Sequence, residues 1–339
     1  MIQFTCGGYD MCGQIRMCWP AQALQSEGET EVMCSRKSFI GLPTTHFYIQ
    51  RCLQQPIYDG LRKIDSKLYV DFDDMMFKLY GEELPKYNFC KSKFDINETT
   101  IVLKDNLDRI DKIVVSTEFL KRAIVDNFNY DRVDVIENML PRWLYHFDRR
   151  NSARYDKPRV LYAGGMTHYG LDGKDTGDFS KPLIEFLRKN IDKIELIFVG
   201  PIPWFLSDLS DKIVSIPFVN VLQLPRVLHD IRPDFYLAPL RECVFNKCKS
   251  DLKYLEACTI GSVCLASDFD DSPYARVHEA AKITNTMTAK NIENNFWSLC
   301  DPDLFIEVQN RQYEFMNSRW LENNTERYKQ LFKTEQVRI

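Results

Sequence analysis

Hydrophobic residues fall along this chain in short runs separated by polar stretches, and the runs form two series. The first comprises His46-Phe-Tyr-Ile-Gln, Leu68-Tyr-Val-Asp-Phe, Thr100-Ile-Val-Leu, Lys112-Ile-Val-Val-Ser and Val133-Asp-Val-Ile-Glu-Asn138. The second comprises Arg159-Val-Leu-Tyr-Ala, Ile194-Glu-Leu-Ile-Phe-Val-Gly200, Val214–Val219, Phe235–Ala238 and Val263–Ala266. Their continuous aliphatic and aromatic character predicts strands covered on both faces of a parallel sheet. Between them the pattern predicts helices near Pro20–Gln25, Ser116–Val125, Lys181–Lys189, Leu222–His229 and Asp251–Cys258. A helix is also expected over Met75–Tyr80, and the aromatic and charged tail from Leu304 to Lys333 reads as helical. Alternation of this kind is an α/β fold with a doubly wound sheet in each half. The polar, basic stretch Leu140–Pro158 divides the halves, giving domains 1–150 and 151–310 and a C-terminal helical tail 311–339. Ligands of such sheets sit at the carboxyl ends of strands, so two facing Rossmann-like sheets make an interdomain cleft.

At 339 residues the chain fits two domains, and 45% hydrophobic with 27% charged residues is ordinary for a folded globular protein. It has no apolar run of spanning length and no basic-then-apolar leader, so no membrane partner and a cytoplasmic location are expected. Eleven cysteines occur without paired ligand spacing, since Cys243 and Cys248 have no matching pair. That predicts reduced thiols and no metal site. A net charge of −4 argues against a surface coated for phosphates. It leaves room for a local basic groove at Lys121-Arg122, Arg142 and Arg149-Arg150-Arg154, which otherwise reads as solvated surface.

Three loops are expected to face the cleft. The first, Cys6-Gly-Gly-Tyr-Asp-Met-Cys-Gly-Gln-Ile-Arg16, follows the first strand. Its glycines, Gly13 among them, allow close backbone approach, and Arg16 offers a charge. The second is Gly164-Gly165-Met-Thr-His168, continuing to Gly177-Asp178; Thr167, His168 and backbone amides there suit a diphosphate. The third is Asn246-Lys-Cys-Lys-Ser-Asp-Leu-Lys-Tyr-Leu-Glu256, read as a helix entered at Ser250. Lys249, Ser250 and the first amides gather positive potential for a phosphate, and Glu256 lies placed for a ribose. Each loop also has a plain structural reading, as a capped helix or a core histidine. Asp71-Phe-Asp-Asp74 ends a strand and either holds a divalent ion or caps the next helix. A tight Gly-x-Gly-x-x-Gly is absent, which argues against a dinucleotide enzyme.

The Lys249-Ser-x-x-Lys-x-x-Glu256 helix, its exit at Gly261, and the positions Asp73-Asp74, Val115–Glu118, Glu137-Asn138 and Pro239-Leu240 resemble the retaining GT-B glycosyltransferases, phage-encoded members included. The resemblance implies that the second domain binds a nucleotide sugar, UDP-linked by preference, and the first an acceptor. Carried over, Glu256 holds the ribose. Gly165, Thr167, His168, Asn246, Lys249 and Ser250 hold the diphosphate with Gly13 and Arg16, and Asp73, His168 and Lys249 take the catalytic positions. Many members carry an earlier glutamate that touches the sugar; Cys248 stands in its place. The resemblance implies no required cofactor, a divalent ion being possible but not expected. Its finest implication is a DNA partner bearing hydroxymethylcytosine, flipped into the cleft, with Trp19, Trp143 and Tyr145 as stacking surfaces. A cell-surface saccharide or lipid acceptor, or a non-catalytic nucleotide-sugar-binding protein, stays open beside it.

Overall fold

In the computed structural model, residues 1–28, 31–52, 54–61, 64–77, 96–146, 157–170 and 175–333 are described, and they build two parallel six-stranded sheets. The first contains β1 (Ile2–Thr5), β2 (Val32–Ser35), β3 (His46–Gln50), β4 (Lys67–Phe72), β5 (Lys112–Val115) and β6 (Val133–Val135). Their order is β2-β1-β3-β4-β5-β6. The second contains β7 (Arg159–Ala163), β8 (Glu195–Val199), β9 (Ile213–Ile216), β10 (Phe235–Ala238), β11 (Val263–Asp268) and β12 (Lys282–Thr284), ordered β12-β11-β10-β7-β8-β9. Read from β9, that is the dinucleotide-binding strand order, with its reversal between β7 and β10. In the first sheet the order reverses between β1 and β3. The loops after these four strands therefore open the two crevices in which a ligand can lie. The α/β class and the two Rossmann-like halves are as the hydrophobic runs predict.

Several elements differ from expectation. Thr100–Leu103 lies inside the helix Ile96–Asp105, not in a strand. Its β-branched residues suggest a strand, but Thr99 and Leu103 are buried and Ile101 is 58% exposed, a helical spacing. Tertiary packing here overrides β propensity. Met75–Phe77 is buried and non-helical, so the described aspartates cap no helix there; residues 78–80 of that expectation lie outside the described residues. The strands β2 and β12 and the helices Gln55–Leu61 and Ala289–Ser298 are additional to the sequence reading. The helix expected from Ser250 begins at Leu252, with Asp251 at its N-cap position.

The two halves interlock. Phe245 and Cys248, from the second half, are buried in the first half's core with Phe72, Val115 and Leu120. The C-terminal tail returns: helix Pro302–Asn317 packs on helix Leu252–Thr259 and β11, then Leu140 and Trp320 form a bridge. The last helix, Thr325–Phe332, packs on helix Trp19–Ser26, and Phe332 stacks on Tyr69 at 5.7 Å between ring centroids. At the crossing, Arg319 is 2% exposed, donates to the Asn138 carbonyl and pairs with Asp251 at 2.8 Å. No helix among the described residues is long and apolar enough to cross a membrane.

Candidate active site

The loop after β7 is shaped by glycine. A Cβ on Gly164 would strike the Tyr162 hydroxyl, whereas one on Gly165 would meet only Phe218, at 3.6 Å, and Thr167. The following turn, Met166–His168, places His168 Nδ1 2.6 Å from Asp178 Oδ2. The other oxygen of Asp178 accepts the Arg241 amide at 3.1 Å and Asn246 Nδ2 at 2.8 Å. One buried carboxylate thus joins the loop after β7 to the loop after β10. Burial opposes its ionisation, but His168, Lys249 and the Arg241 amide hold Asp178 below the usual carboxylate value. Burial and the Lys249 charge push His168 down to about 4. At neutral pH its Nδ1–H donates to Asp178 and its Nε2 is left as an acceptor.

Lys249 sets its ammonium over the Phe245 ring, 5.1 Å from the centroid, and makes no ion pair among the described residues. Its charge acts on Asp74, His168 and Asp178 together. Four residues on, inside the helix Leu252–Thr259, Lys253 donates to the Ala163 carbonyl and lies 4.9 Å over the Tyr162 ring. Burial lowers its pKa, so a bound anion would be well received there. Glu256 is 4% exposed, accepts the Tyr236 hydroxyl at 2.7 Å and is raised by burial against the pull of Lys253. Ser250 Oγ accepts Asn138 Nδ2 at 2.7 Å, so its hydroxyl links the two halves.

On the opposite wall the three aspartates divide. Asp71 is held by Arg16, whose Nη2 lies 2.6 Å from it, and Asp73 by Arg51 at 2.9 and 3.0 Å. Asp74 Oδ1 is buried without a hydrogen-bond partner among the described residues. Burial pushes Asp74 up to about 6, with Lys249 pulling the other way. The residue expected to react, Asp73, is therefore saturated by an arginine, and its neighbour is the carboxylate left free.

The first loop lies differently from its expected role. Arg16 is fully buried and directs its N–H groups to Asp71, Asn138 and the Ile136 carbonyl. Gly13 is buried, its amide capped by Asp10 at 2.9 Å, and a Cβ there would collide with the Gly8 carbonyl. Both residues shape the crevice from behind. Cys248, where the resembling family has its sugar-contacting glutamate, is fully buried in the first half's core. Trp19 and Tyr145 are also core residues, while Trp143 is 44% exposed. The basic residues Arg149, Arg150 and Arg154 lie outside the described residues.

Sequence reasoning missed Arg241 and Tyr236 as site residues, named Asp74 only within the Asp71–Asp74 cluster, and gave Lys253 no role of its own within its motif. The available signal for Lys253 was its place four residues past Lys249 in the motif that ends at Glu256; the structure puts Lys253 in the helix Leu252–Thr259 and Lys249 in the loop before it. Sequence reasoning also missed an apolar lip at the mouth: Met166 is 68% and Phe218 64% exposed.

No protein-family model matches the chain, and no curated protein matches its sequence. Among solved structures the architecture is shared with GT-B glycosyltransferases. WaaG, a glycosyltransferase involved in lipopolysaccharide biosynthesis, aligns with a TM-score of 0.61 at 11% identity, over 98% of this chain and 100% of its own. HepE of Anabaena, solved with UDP and glucose, gives 0.60 at 10% identity, over 97% and 84%. TarM gives 0.59 at 10% identity over 85% of this chain, which spans only 55% of TarM. At these identities the likeness establishes the GT-B fold.

Proposed function

We propose that this protein is a glycosyltransferase that takes a sugar from a nucleotide donor, UDP-linked, bound at the reversal between β7 and β10. The observation that carries the reading is the meeting of Lys249, the His168–Asp178 pair, Lys253 and Glu256 at that crevice. HepE, which has the same fold, was solved with UDP and glucose.

In this reading Lys249 and the Gly165–His168 turn hold the diphosphate, stabilising the charge that develops as the sugar–phosphate bond breaks. Glu256, oriented by Tyr236, meets the ribose. Phe218 and Met166 give the base an apolar face. The acceptor hydroxyl enters from the first half and is oriented by Asp74. In the retaining course its oxygen bonds to the sugar's anomeric carbon on the face the diphosphate leaves, and a donor phosphate oxygen takes its proton. No metal is needed for that charge balance, because the lysines and amides supply it.

The acceptor proposed is the hydroxymethyl group of cytosine in DNA, with Trp143 as the exposed stacking residue. Incubating the protein with hydroxymethylcytosine DNA and a panel of nucleotide sugars, then weighing the digested nucleosides, tests both parts. A hexose- or pentose-sized gain, lost in Lys249→Ala, is expected. Donor hydrolysis without nucleoside gain would overturn the DNA acceptor and redirect the search to saccharides or lipids. Absence of both turnover and UDP binding by calorimetry would overturn the transferase reading.

A further inference from the structure

Away from the cleft, three thiols converge from three elements. Cys6 follows β1, with its amide donating to the Ser35 carbonyl at 2.9 Å to extend the β1–β2 ladder. Cys34 lies in β2, in register with Phe4. Cys18 closes the π-helical turn Gln14–Cys18 that leads into helix Trp19–Ser26. Wide turns of this kind recur at functional sites because they redirect one side chain out of the helical phase. The separations of 12 and 16 residues carry no motif, which is why sequence spacing argued against a metal.

The three Sγ atoms all lie within 4.8 Å of one another, and Cys18 and Cys34 are 3.7 Å apart. A tetrahedral zinc–thiolate centre with bonds of about 2.3 Å sets neighbouring sulfurs about 3.8 Å apart. A disulfide would need about 2.05 Å. The cluster has the dimensions of a coordination shell, and its thiols are free. We infer that Cys6, Cys18 and Cys34 form a three-thiolate site for a zinc-class, thiophilic divalent ion.

Two further features suit the assignment. Cys6 is buried, while Cys18 and Cys34 are partly exposed, which leaves an ion a path inward. No histidine or carboxylate joins the cluster among the described residues, so the fourth position falls to water. Thiolate sulfur selects zinc over magnesium or calcium. β2 is the edge strand of its sheet and only half-buried. An ion bound here ties that edge to β1 and to the helix behind the Cys6–Gly13 loop, and stabilises the fold by mass action. The inference stands independently of the proposed function.

The test uses the full chain, reduced, stripped of metal and titrated anaerobically with Co2+ and then Zn2+. One equivalent of Co2+ is expected to give thiolate-to-metal charge-transfer and tetrahedral d–d absorption, both removed by Zn2+. Cys18→Ser and Cys34→Ser should lose the signal, and Cys300→Ser should keep it. Because a cysteine variant can fold poorly, alkylation of the wild-type protein gives a second reading. Zinc should protect Cys6, Cys18 and Cys34, mapped by peptide mass, and leave Cys300 unaffected. Equal alkylation with and without zinc, or an unchanged cobalt spectrum in Cys18→Ser and Cys34→Ser, would overturn the site. So would a reduced protein that binds no cobalt yet loses two hydrogens to a Cys18–Cys34 disulfide in air.

Discussion

Asn138 reaches across the interface between the halves, donating from Nδ2 to Ser250 Oγ at 2.7 Å. The same side chain accepts Arg16 Nη1 on its oxygen at 3.1 Å, and Arg16 in turn holds Asp71. A polar chain thus runs from the end of β4, through the first sheet, to the residue beside Lys249. It couples the frame of the first half to the loop that precedes helix Leu252–Thr259. Removing its last link should loosen the relation between the two walls of the cleft. Ser250→Ala is expected to lower stability by about 1 kcal/mol, a typical net hydrogen bond. If the transferase reading holds, KM for the nucleotide sugar rises with kcat less affected. Thermal melts and steady-state kinetics on the same preparation check both.

Arg16 shows the larger cost of breaking the chain at its buried centre. Arg16 and Asp71 are both fully buried, and the Tyr48 hydroxyl also donates to Asp71 at 2.5 Å. Arg16→Met leaves a buried carboxylate without its cation, which is expected to destabilise the protein by about 3–5 kcal/mol. Replacing Arg16 and Asp71 together by apolar residues should recover part of that loss. Urea midpoints for the single and double variants decide it. A single variant as stable as wild type would show that Arg16 does not brace the sheet.

How much of this was legible in the sequence follows from which interactions are local. Strands such as Phe235–Ala238 are visible because burial on both faces leaves a continuous apolar run. β2 and β12 are edge strands with partly exposed residues, so they lack that signature. Thr100–Leu103 misleads because its β-branched residues face both ways on a helix. In the site, Lys249 and Glu256 were visible because one short segment carries both, Lys249 in the loop and Glu256 in the helix Leu252–Thr259 that follows. The division of labour among Asp71, Asp73 and Asp74 was not, because their partners Arg16 and Arg51 come from other strands' loops. Cys248 looked like an altered sugar contact, yet its place in the first half's core depends on a packing between halves that spacing cannot reveal.

Asp74 carries a prediction whose sign is set by its raised pKa. The native group titrates at about 6, above the ordinary value of 3.8. Between those pH values the native protein keeps a proton that the unfolded chain has released. Stability therefore falls as pH rises through that window, and the cost persists at neutral pH. Asp74→Asn removes a cost on the order of 2–3 kcal/mol. The variant should melt above wild type at pH 7.5 and close to it at pH 4. In the transferase reading it also loses most turnover, a trade of stability for function. Equal melting differences at both pH values would show that Asp74 is not held as a strained carboxylate.

His168 gives the opposite slope. Its native value of about 4 lies below the ordinary 6.5, so the unfolded chain binds a proton that the native protein refuses. As pH falls from 6.5 to 4 the native state should lose up to about 3 kcal/mol from this group alone. Asp178, itself held low, adds to the loss as the pH falls further. His168→Asn can keep an N–H donor toward Asp178 while removing the ring nitrogen that points elsewhere. That variant should retain its melting temperature at pH 7.5, and its stability should fall less steeply between pH 6.5 and 4. His168→Phe, which leaves Asp178 without this donor, should be destabilised by about 1–3 kcal/mol at neutral pH. If Nε2 meets the diphosphate, UDP affinity measured by calorimetry falls about tenfold in His168→Asn despite the intact fold. Wild-type affinity in that variant would confine His168 to holding Asp178, and leave phosphate binding to Lys249 and the backbone amides of the turn.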